Sequence, residues 1–235
     1  MSSNVFTKEN LNNYLKELAK EYRKLGGKGM PAEIVLVGGA AILTRYGFRD
    51  MTTDIDAIIH AASSMKDAIN RVGDKFDLPN KWLNADFIRT GSYSSRLTEV
   101  SVYYKEFSNV LTVRVVTDEY LIAMKLRSGR KYKNDLSDIV GILAENERNN
   151  KHITMGMIDN AVEKLYGGWN DFPEESKPFI ETALKNGNFE EIYASVKAEE
   201  RESKEILIDF EKEYQNVANA SNVDEILKTL KAKLK

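Results

Sequence analysis

Apolar residues recur at two different spacings along the chain, and each spacing predicts one kind of element. Between residues 6 and 25 an apolar residue returns every three or four positions, at Leu11, Leu15, Leu18 and Tyr22. That spacing lines one face of an α-helix, so we expect an amphipathic helix here. Thr7 stands at the N-cap position, and the glycines at 26, 27 and 29 end the pattern.

Short apolar runs in the middle of the chain predict strands that alternate with helices. We expect strands at residues 34–37 and 54–59, and a hairpin of strands 100–107 and 110–116 that turns near Ser108-Asn109. Helices are expected at 39–46, from Ser63 or Ser64 to about Phe76, at 118–128 and at 134–147. Residues 78–84 are expected to form a loop.

Beyond residue 150 the pattern is helical throughout. Helices are expected at about 154–166, 174–186, 188–216 and 222–234. The Glu/Lys-rich run 190–213 fits either a coiled-coil-like partner helix or a solvated surface helix packed on its neighbours. The pattern as a whole predicts an α/β (α+β) fold, with a mixed sheet flanked by helices in residues 1–150 and an all-helical region in residues 151–235.

Composition agrees with a division into two regions. Residues 1–150 hold 22 Lys+Arg against 19 Asp+Glu, and residues 151–235 hold 12 against 17, within a net charge of −2. This balance does not give the broad basic surface of a dedicated nucleic-acid binder. Cysteine is absent and histidine occurs twice, which excludes disulfides and a zinc site rich in Cys or His. With no long apolar run and no signal-like start, we expect a cytoplasmic protein without a membrane span.

The candidate chemistry lies where the strand at 34–37 meets two glycines. Gly38 and Gly39 let the backbone approach a ligand closely, and the helix start behind them offers N–H groups to a phosphate. Farther along, Asp54 and Asp56 are two residues apart on a predicted strand, so both carboxylates face the same side. Adjacent carboxylates repel unless a cation lies between them, and oxygen ligands suit Mg²⁺. These parts together describe a site for a metal-bound nucleoside triphosphate.

Further motifs accompany the glycines and extend the carboxylate pair. Gly47-Phe48-Arg49 and Thr52-Thr53-Asp54-Ile55-Asp56 follow the glycines, and Met124-Lys125-Leu126 and Lys133-Asn134-Asp135-Leu136-Ser137-Asp138 come later. In this order the motifs resemble the nucleotidyltransferase superfamily, and within it the nucleotidyltransferase-like toxins of abortive-infection and type IV toxin–antitoxin systems. The resemblance covers roughly residues 30–145. The chain departs from the pattern at Asn134, where the family often has Arg.

The resemblance implies a nucleotidyltransferase-like core that moves a nucleoside monophosphate from a nucleoside triphosphate to RNA, such as tRNA, or to a protein. It implies Mg²⁺ or Mn²⁺ as the metal, and a cognate antitoxin-like partner if the protein is a toxin. Residues are assigned to three roles. Asp54, Asp56, Lys125 and Asp138 are assigned to catalysis; Asp54, Asp56 and Asp135 to the metal; and Gly38, Gly39, Arg49, Thr53, Lys125 and Arg130 to the nucleotide.

Three of these assignments carry open alternatives. Either Asp135 or Asp138 could be the third carboxylate, while the other holds Lys125 or a basic neighbour. The cations of residues 125–133 fit a solvated basic face as well as a phosphate-binding segment, although Lys125 lies in an otherwise apolar helix. Arg49 suits a phosphate contact or a structural ion pair. The chain as a whole could also be a non-catalytic nucleotide- or partner-binding protein, or an enzyme that modifies a small molecule.

Overall fold

The computed structural model describes residues 5–219 and 222–233, which form two compact units. The first unit contains the described residues up to Met124 together with Ile158–Gly168, and the second contains Lys125–Met157 with the described residues from Trp169 onward. The domain boundary at residue 150 stays a prediction, and the compact units do not follow it.

Nine α-helices lie in the described residues, with bounds close to those that the sequence predicts. They are α1 (Lys8–Lys24), α2 (Gly38–Arg45), α3 (Ser64–Phe76), α4 (Asp118–Ser128), α5 (Asp135–Arg148), α6 (Met155–Tyr166), α7 (Ser176–Asn186), α8 (Phe189–Glu213) and α9 (Val223–Lys233). The C-terminal region is helical, as predicted.

The described part of the first unit contains one mixed sheet of five strands. They are β1 (Ala32–Leu36), β2 (Ile55–His60), β3 (Leu83–Asn84), β4 (Ser101–Phe107) and β5 (Leu111–Val116), in the spatial order β3-β2-β1-β5-β4. β1 pairs antiparallel with β2 and parallel with β5, β2 pairs parallel with β3, and β4 pairs antiparallel with β5. The predicted α/β fold with a mixed sheet is confirmed.

The core of the first unit forms around β1. Ile34, Val35 and Leu36 are fully buried, because a central strand of such a sheet is covered on both faces. The predicted apolar stripe of α1 is buried as well, and the hydroxyl of Tyr22 donates to the carbonyl of Met30 at 2.6 Å. The sheet and α1 therefore share the apolar surface that the periodicity marks.

Two local predictions have different outcomes. The hairpin turns at Ser108 and Asn109, with φ of +53° and +52°, the left-handed geometry that matches the twist of paired strands. The loop expected at 78–84 is wrong at its end, because Leu83–Asn84 forms β3 and pairs with Ile55 and Asp56 of β2. Two residues beside an existing strand are too few to leave an alternating pattern in the sequence.

In the second unit, α8 packs against α5. Phe189, Glu200 and Ser203 are the buried residues of α8, and most of its other side chains are at least partly exposed. This burial favours the surface-helix interpretation of the Glu/Lys-rich run. The helix ends at Glu213, three residues before the predicted end.

We expect the substitution Thr7→Ala to lower the free energy of unfolding by about 1 kcal/mol. The Thr7 hydroxyl accepts from the N–H of Asn10 at 3.4 Å, and the Asn10 side chain accepts from the N–H of Thr7 at 2.8 Å. Ser63→Ala is the matched control, since Ser63 occupies the cap position of α3 without a side-chain cap bond. Urea denaturation of both variants measures the difference, and equal losses would contradict the assigned role of Thr7.

Candidate active site

The start of α2 forms a backbone surface suited to an anion. Val37 precedes the helix in extended conformation, and Gly38 has φ of +53°, in the left-handed region that favours glycine. In the described chain no side chain caps this end of α2, and its first turn holds no acidic residue. The first N–H groups of a helix have no partner within the helix and carry partial positive charge. A phosphate would meet both features here.

Asp56 lies beside this helix start because of the pairing of β1 with β2. The N–H of Val37 donates to the carbonyl of Asp56 at 3.1 Å, one step beyond the register pair of Leu36 and Ala57. The carboxylate Oδ2 of Asp56 is 4.0 Å from the point that a Cβ on Gly38 would occupy. Asp56 is half-buried, whereas Asp54 is exposed immediately before the strand.

The side chains of Arg49 and Thr52 lie close to Gly39, the second glycine. A Cβ on Gly39 would be 2.7 Å from Oγ1 of Thr52 and 3.0 Å from Nη2 of Arg49. Arg49 also donates from Nε to the carbonyl of Met51 at 3.0 Å. The absence of a side chain at Gly39 therefore lets a guanidinium and a hydroxyl approach the start of α2.

Thr52 is a site residue that the sequence reasoning missed in favour of Thr53. Thr52 is buried and its hydroxyl donates to the carbonyl of Asp54 at 3.2 Å, with Oδ1 of the same residue 3.5 Å away. Its backbone exchanges two hydrogen bonds with Phe6, at 2.8 and 2.9 Å. Thr53 is exposed, and its contact with nucleotide stays a prediction. The burial of Thr52 depends on its long-range bridge to Phe6, which no local sequence pattern reveals.

Two further acidic residues follow β5 at the edge of the sheet where β1 ends. Leu36 of β1 pairs with Val115 of the parallel strand β5, so both strands end at this edge. α4 then begins with Asp118 and Glu119. The hydroxyl of Tyr46 donates a hydrogen bond to Oδ1 of Asp118. Burial raises the pKa of Glu119 above its ordinary value. A search for acids within the strands alone misses Glu119, because it follows β5.

The remaining predicted residues form a charge cluster in the second unit, in which Lys125, Asp135 and Asp138 are buried and Arg130 is exposed. Nζ of Lys125 is 2.7 Å from Oδ1 of Asp135 and 2.9 Å from Oδ2 of Asp138. Arg130 adds a bond from Nε to Oδ2 of Asp135 at 2.8 Å. Lys125 is 8% exposed and the two aspartates 0% and 3%. The structure therefore brings these four predicted residues together.

The pKa of Asp135 lies well below its ordinary range. Burial alone would raise it, but the charges and hydrogen bonds of Lys125 and Arg130 outweigh burial and favour the carboxylate. Both oxygens of Asp135 are bonded to these two cations. Its assignment to a metal stays a prediction, and the contacts in the structure are those of an ion pair.

The metal prediction can be compared with the donors that the fold supplies. Among the described residues, no three acidic or histidine side chains gather as a metal-binding group. Asp54 and Asp56 offer carboxylate oxygens next to a helix start that suits phosphate. This donor set fits Mg²⁺, which is usually held by one or two carboxylates and completed by water and substrate phosphates.

A comparison with protein families finds a match over the part of the chain that holds these residues. Residues 13–167 match a family described as "Nucleotidyltransferase of unknown function (DUF6036)". The chain belongs to this family. The match covers both glycines, Asp54, Asp56 and the Lys125 cluster, so the predicted superfamily is confirmed, and the family implies a nucleotide as substrate.

Other comparisons add no relative. No curated protein matches the chain, and no solved structure matches it. Within the described residues of this family member, no helix has the length and apolar character that crossing a bilayer requires.

We expect Lys125→Ala to lower the free energy of unfolding by about 3–5 kcal/mol, because it leaves two buried carboxylates without their shared cation. Lys131→Ala is the matched control. Lys131 forms an exposed ion pair with Glu175, and such pairs contribute below about 1 kcal/mol. Guanidinium chloride denaturation compares the two variants, and a small loss for both would show that the cluster is not a stability determinant.

Proposed function

We propose that this family member transfers a nucleoside monophosphate from a nucleoside triphosphate to RNA, such as tRNA, or to a protein, in a reaction that needs Mg²⁺ or Mn²⁺. The proposal rests on one observation: the N-terminus of α2, which begins at Gly38, lies beside the carboxylate of Asp56. Triphosphate oxygens and a divalent cation are the ligands that this pair of features recognises together.

Each residue at this edge has one task in the proposal. The N–H groups that begin α2 and the guanidinium of Arg49 bind phosphate oxygens, since both are donors directed at one region. Asp54 and Asp56 hold the metal, and the Thr52 hydroxyl keeps Asp54 in place. A bound Mg²⁺ supplies charge neutralisation and lowers the pKa of the attacking hydroxyl.

The transfer itself forms one bond and breaks another at the α-phosphorus. The acceptor hydroxyl attacks in line and loses its proton, and pyrophosphate leaves with the electron pair of the broken P–O bond. The protein contributes positioning and fixed charge, which is how most phosphoryl-transfer catalysis arises. Glu119, with its raised pKa at the same sheet edge, is a candidate to take that proton.

In this proposal Lys125 and Arg130 neutralise triphosphate charge, and Asp138 is the catalytic carboxylate of their cluster. Asp135 is the partner that holds both cations, because its two oxygens are already bonded to them. We base this choice between the two aspartates on these contacts, and the proposal keeps Asp54 and Asp56 as the metal ligands. A toxin-like role and an antitoxin-like partner belong to the same proposal and rest on the motif resemblance.

A non-catalytic nucleotide-binding role is the second candidate. It is favoured by one observation, that no group of three acidic or histidine side chains forms in the described residues. Incubation with each labelled nucleoside triphosphate, Mg²⁺ or Mn²⁺, and cell extract separates the two roles. Label that ribonuclease removes identifies RNA as acceptor, and label that protease removes identifies a protein. Metal-dependent binding without any labelled product would favour the non-catalytic role.

We expect Asp54→Asn and Asp56→Asn each to abolish metal-dependent turnover while the protein stays folded. Each substitution removes a metal ligand, and it also relieves repulsion between neighbouring carboxylates. Asp67→Asn is the control, because Asp67 is an exposed acid on α3. Turnover is measured in Mg²⁺ and folding by circular dichroism. Wild-type turnover in either site variant would refute the metal assignment.

We expect Gly39→Ala to weaken triphosphate binding at least tenfold, because the new methyl group displaces Arg49 or Thr52. The free energy of unfolding should fall by about 1–3 kcal/mol, because the methyl group overpacks against the buried Thr52 hydroxyl, although alanine favours the helix. Gly29→Ala is the control, with no atom within 4 Å of the added Cβ. Calorimetric titration with a non-hydrolysable triphosphate measures binding, and unchanged affinity would show that this contact is not part of the site.

A further inference from the structure

A cavity of about 510 Å³ lies within the second unit, and none of the residues assigned above to metal or phosphate lines it, although Gly129, Lys131 and Leu136 of its wall are chain neighbours of Arg130 and Asp135. Its wall includes the end of α4, the segment before α7, and residues of α8 and α9. Cavities of this size hold small molecules. Leu136, Phe179 and Val196 give it an apolar side, while the polar side is dominated by acids.

Glu200 of α8 is the unusual residue of this wall. It is 4% exposed, and its Oε1 accepts the N–H groups of Leu136 and Ser137 at 2.9 and 3.1 Å, at the start of α5. Its Oε2 is buried and has no hydrogen-bond partner among the described residues. A buried polar atom without a hydrogen-bond partner is costly and rare, and a donor on a molecule bound in the cavity would satisfy Oε2.

The charges around the cavity indicate that the donor group is positively charged. Five carboxylates line it, from Glu174, Glu175, Glu199, Glu200 and Asp224, against the two ammonium groups of Lys131 and Lys231. Lys131 pairs with Glu175, and Lys231 lies 3.5 Å from Glu202. The lining therefore carries an excess of negative charge, which attracts cations and repels nucleotides.

We propose that this cavity binds a short aliphatic amine, whose ammonium group donates to Oε2 of Glu200 and whose methylene chain lies against Leu136, Phe179 and Val196. An ammonium group satisfies the acceptor and neutralises the acidic wall in one step. Burial raises the pKa of Glu200 to about 7, and a cation beside the carboxylate favours its charged form.

The proposal does not depend on nucleotidyl transfer and is tested by binding alone. The probe is 1,4-diaminobutane, titrated calorimetrically into the full chain at fixed ionic strength, with butan-1-ol as the uncharged comparison. We expect saturable one-to-one binding of the diamine and none of the alcohol. Glu200→Gln should weaken binding at least tenfold, while it keeps an acceptor oxygen for Leu136 and Ser137.

Two more variants keep the test decisive. Glu205→Gln removes an exposed acid of α8 outside the cavity wall and should leave affinity within twofold. Val196→Phe fills the apolar side and should abolish binding even if Glu200→Gln fails to fold. Equal losses of affinity in the Glu200 and Glu205 variants would show unspecific ionic attraction and would overturn the proposal. Undiminished binding of the diamine to Val196→Phe would overturn it as well.

Discussion

The antiparallel pairing of β1 with β2 is the constraint on which the candidate site depends. Because the two strands run in opposite directions, the end of β1 and the start of β2 lie at one edge of the sheet. The bond from Val37 to the carbonyl of Asp56 closes the ladder there, so the glycine turn and the acidic strand meet. A slip of one residue would turn Asp56 inward and Ile55 outward, and the burial of Ile55 and Ala57 opposes it.

In the second unit the corresponding constraint is electrostatic. Lys125 and Arg130 face Asp135 and Asp138 within hydrogen-bond distance, in surroundings that expose little of Lys125 and the two aspartates. Buried charges persist only when they are paired, so each member requires the others. A loss of activity on changing Lys125 would therefore have two separable causes, a weakened unit and the loss of the proposed phosphate contact. Denaturation and nucleotide binding must both be measured to distinguish them.

Local features could be predicted from the sequence, and features that depend on distant contacts could not. The stripe on α1, the Thr7 cap and the turn at Ser108-Asn109 follow from spacing and residue type over a few positions. The sequence also predicted one site for the glycines and the carboxylate pair, and in the structure Asp56 lies beside Gly38. It could not choose Thr52 over Thr53, because that choice depends on a backbone bridge to a residue 46 positions earlier. It also left the partner of Lys125 open, and both aspartates contact it.

That bridge explains how a loop can contribute ordered side chains to the candidate site. Residues 46–54 lie outside any helix or strand, yet Thr52 exchanges two backbone hydrogen bonds with Phe6. The Phe6 ring is fully buried, with its centroid 6.0 Å from that of Tyr14 and 6.2 Å from that of Trp82. Aromatic packing therefore fixes the loop that presents Arg49 and Thr52 to Gly39. Donors held in place before a ligand arrives need no reorganisation when it binds, which is the condition for electrostatic stabilisation of a transferring phosphate.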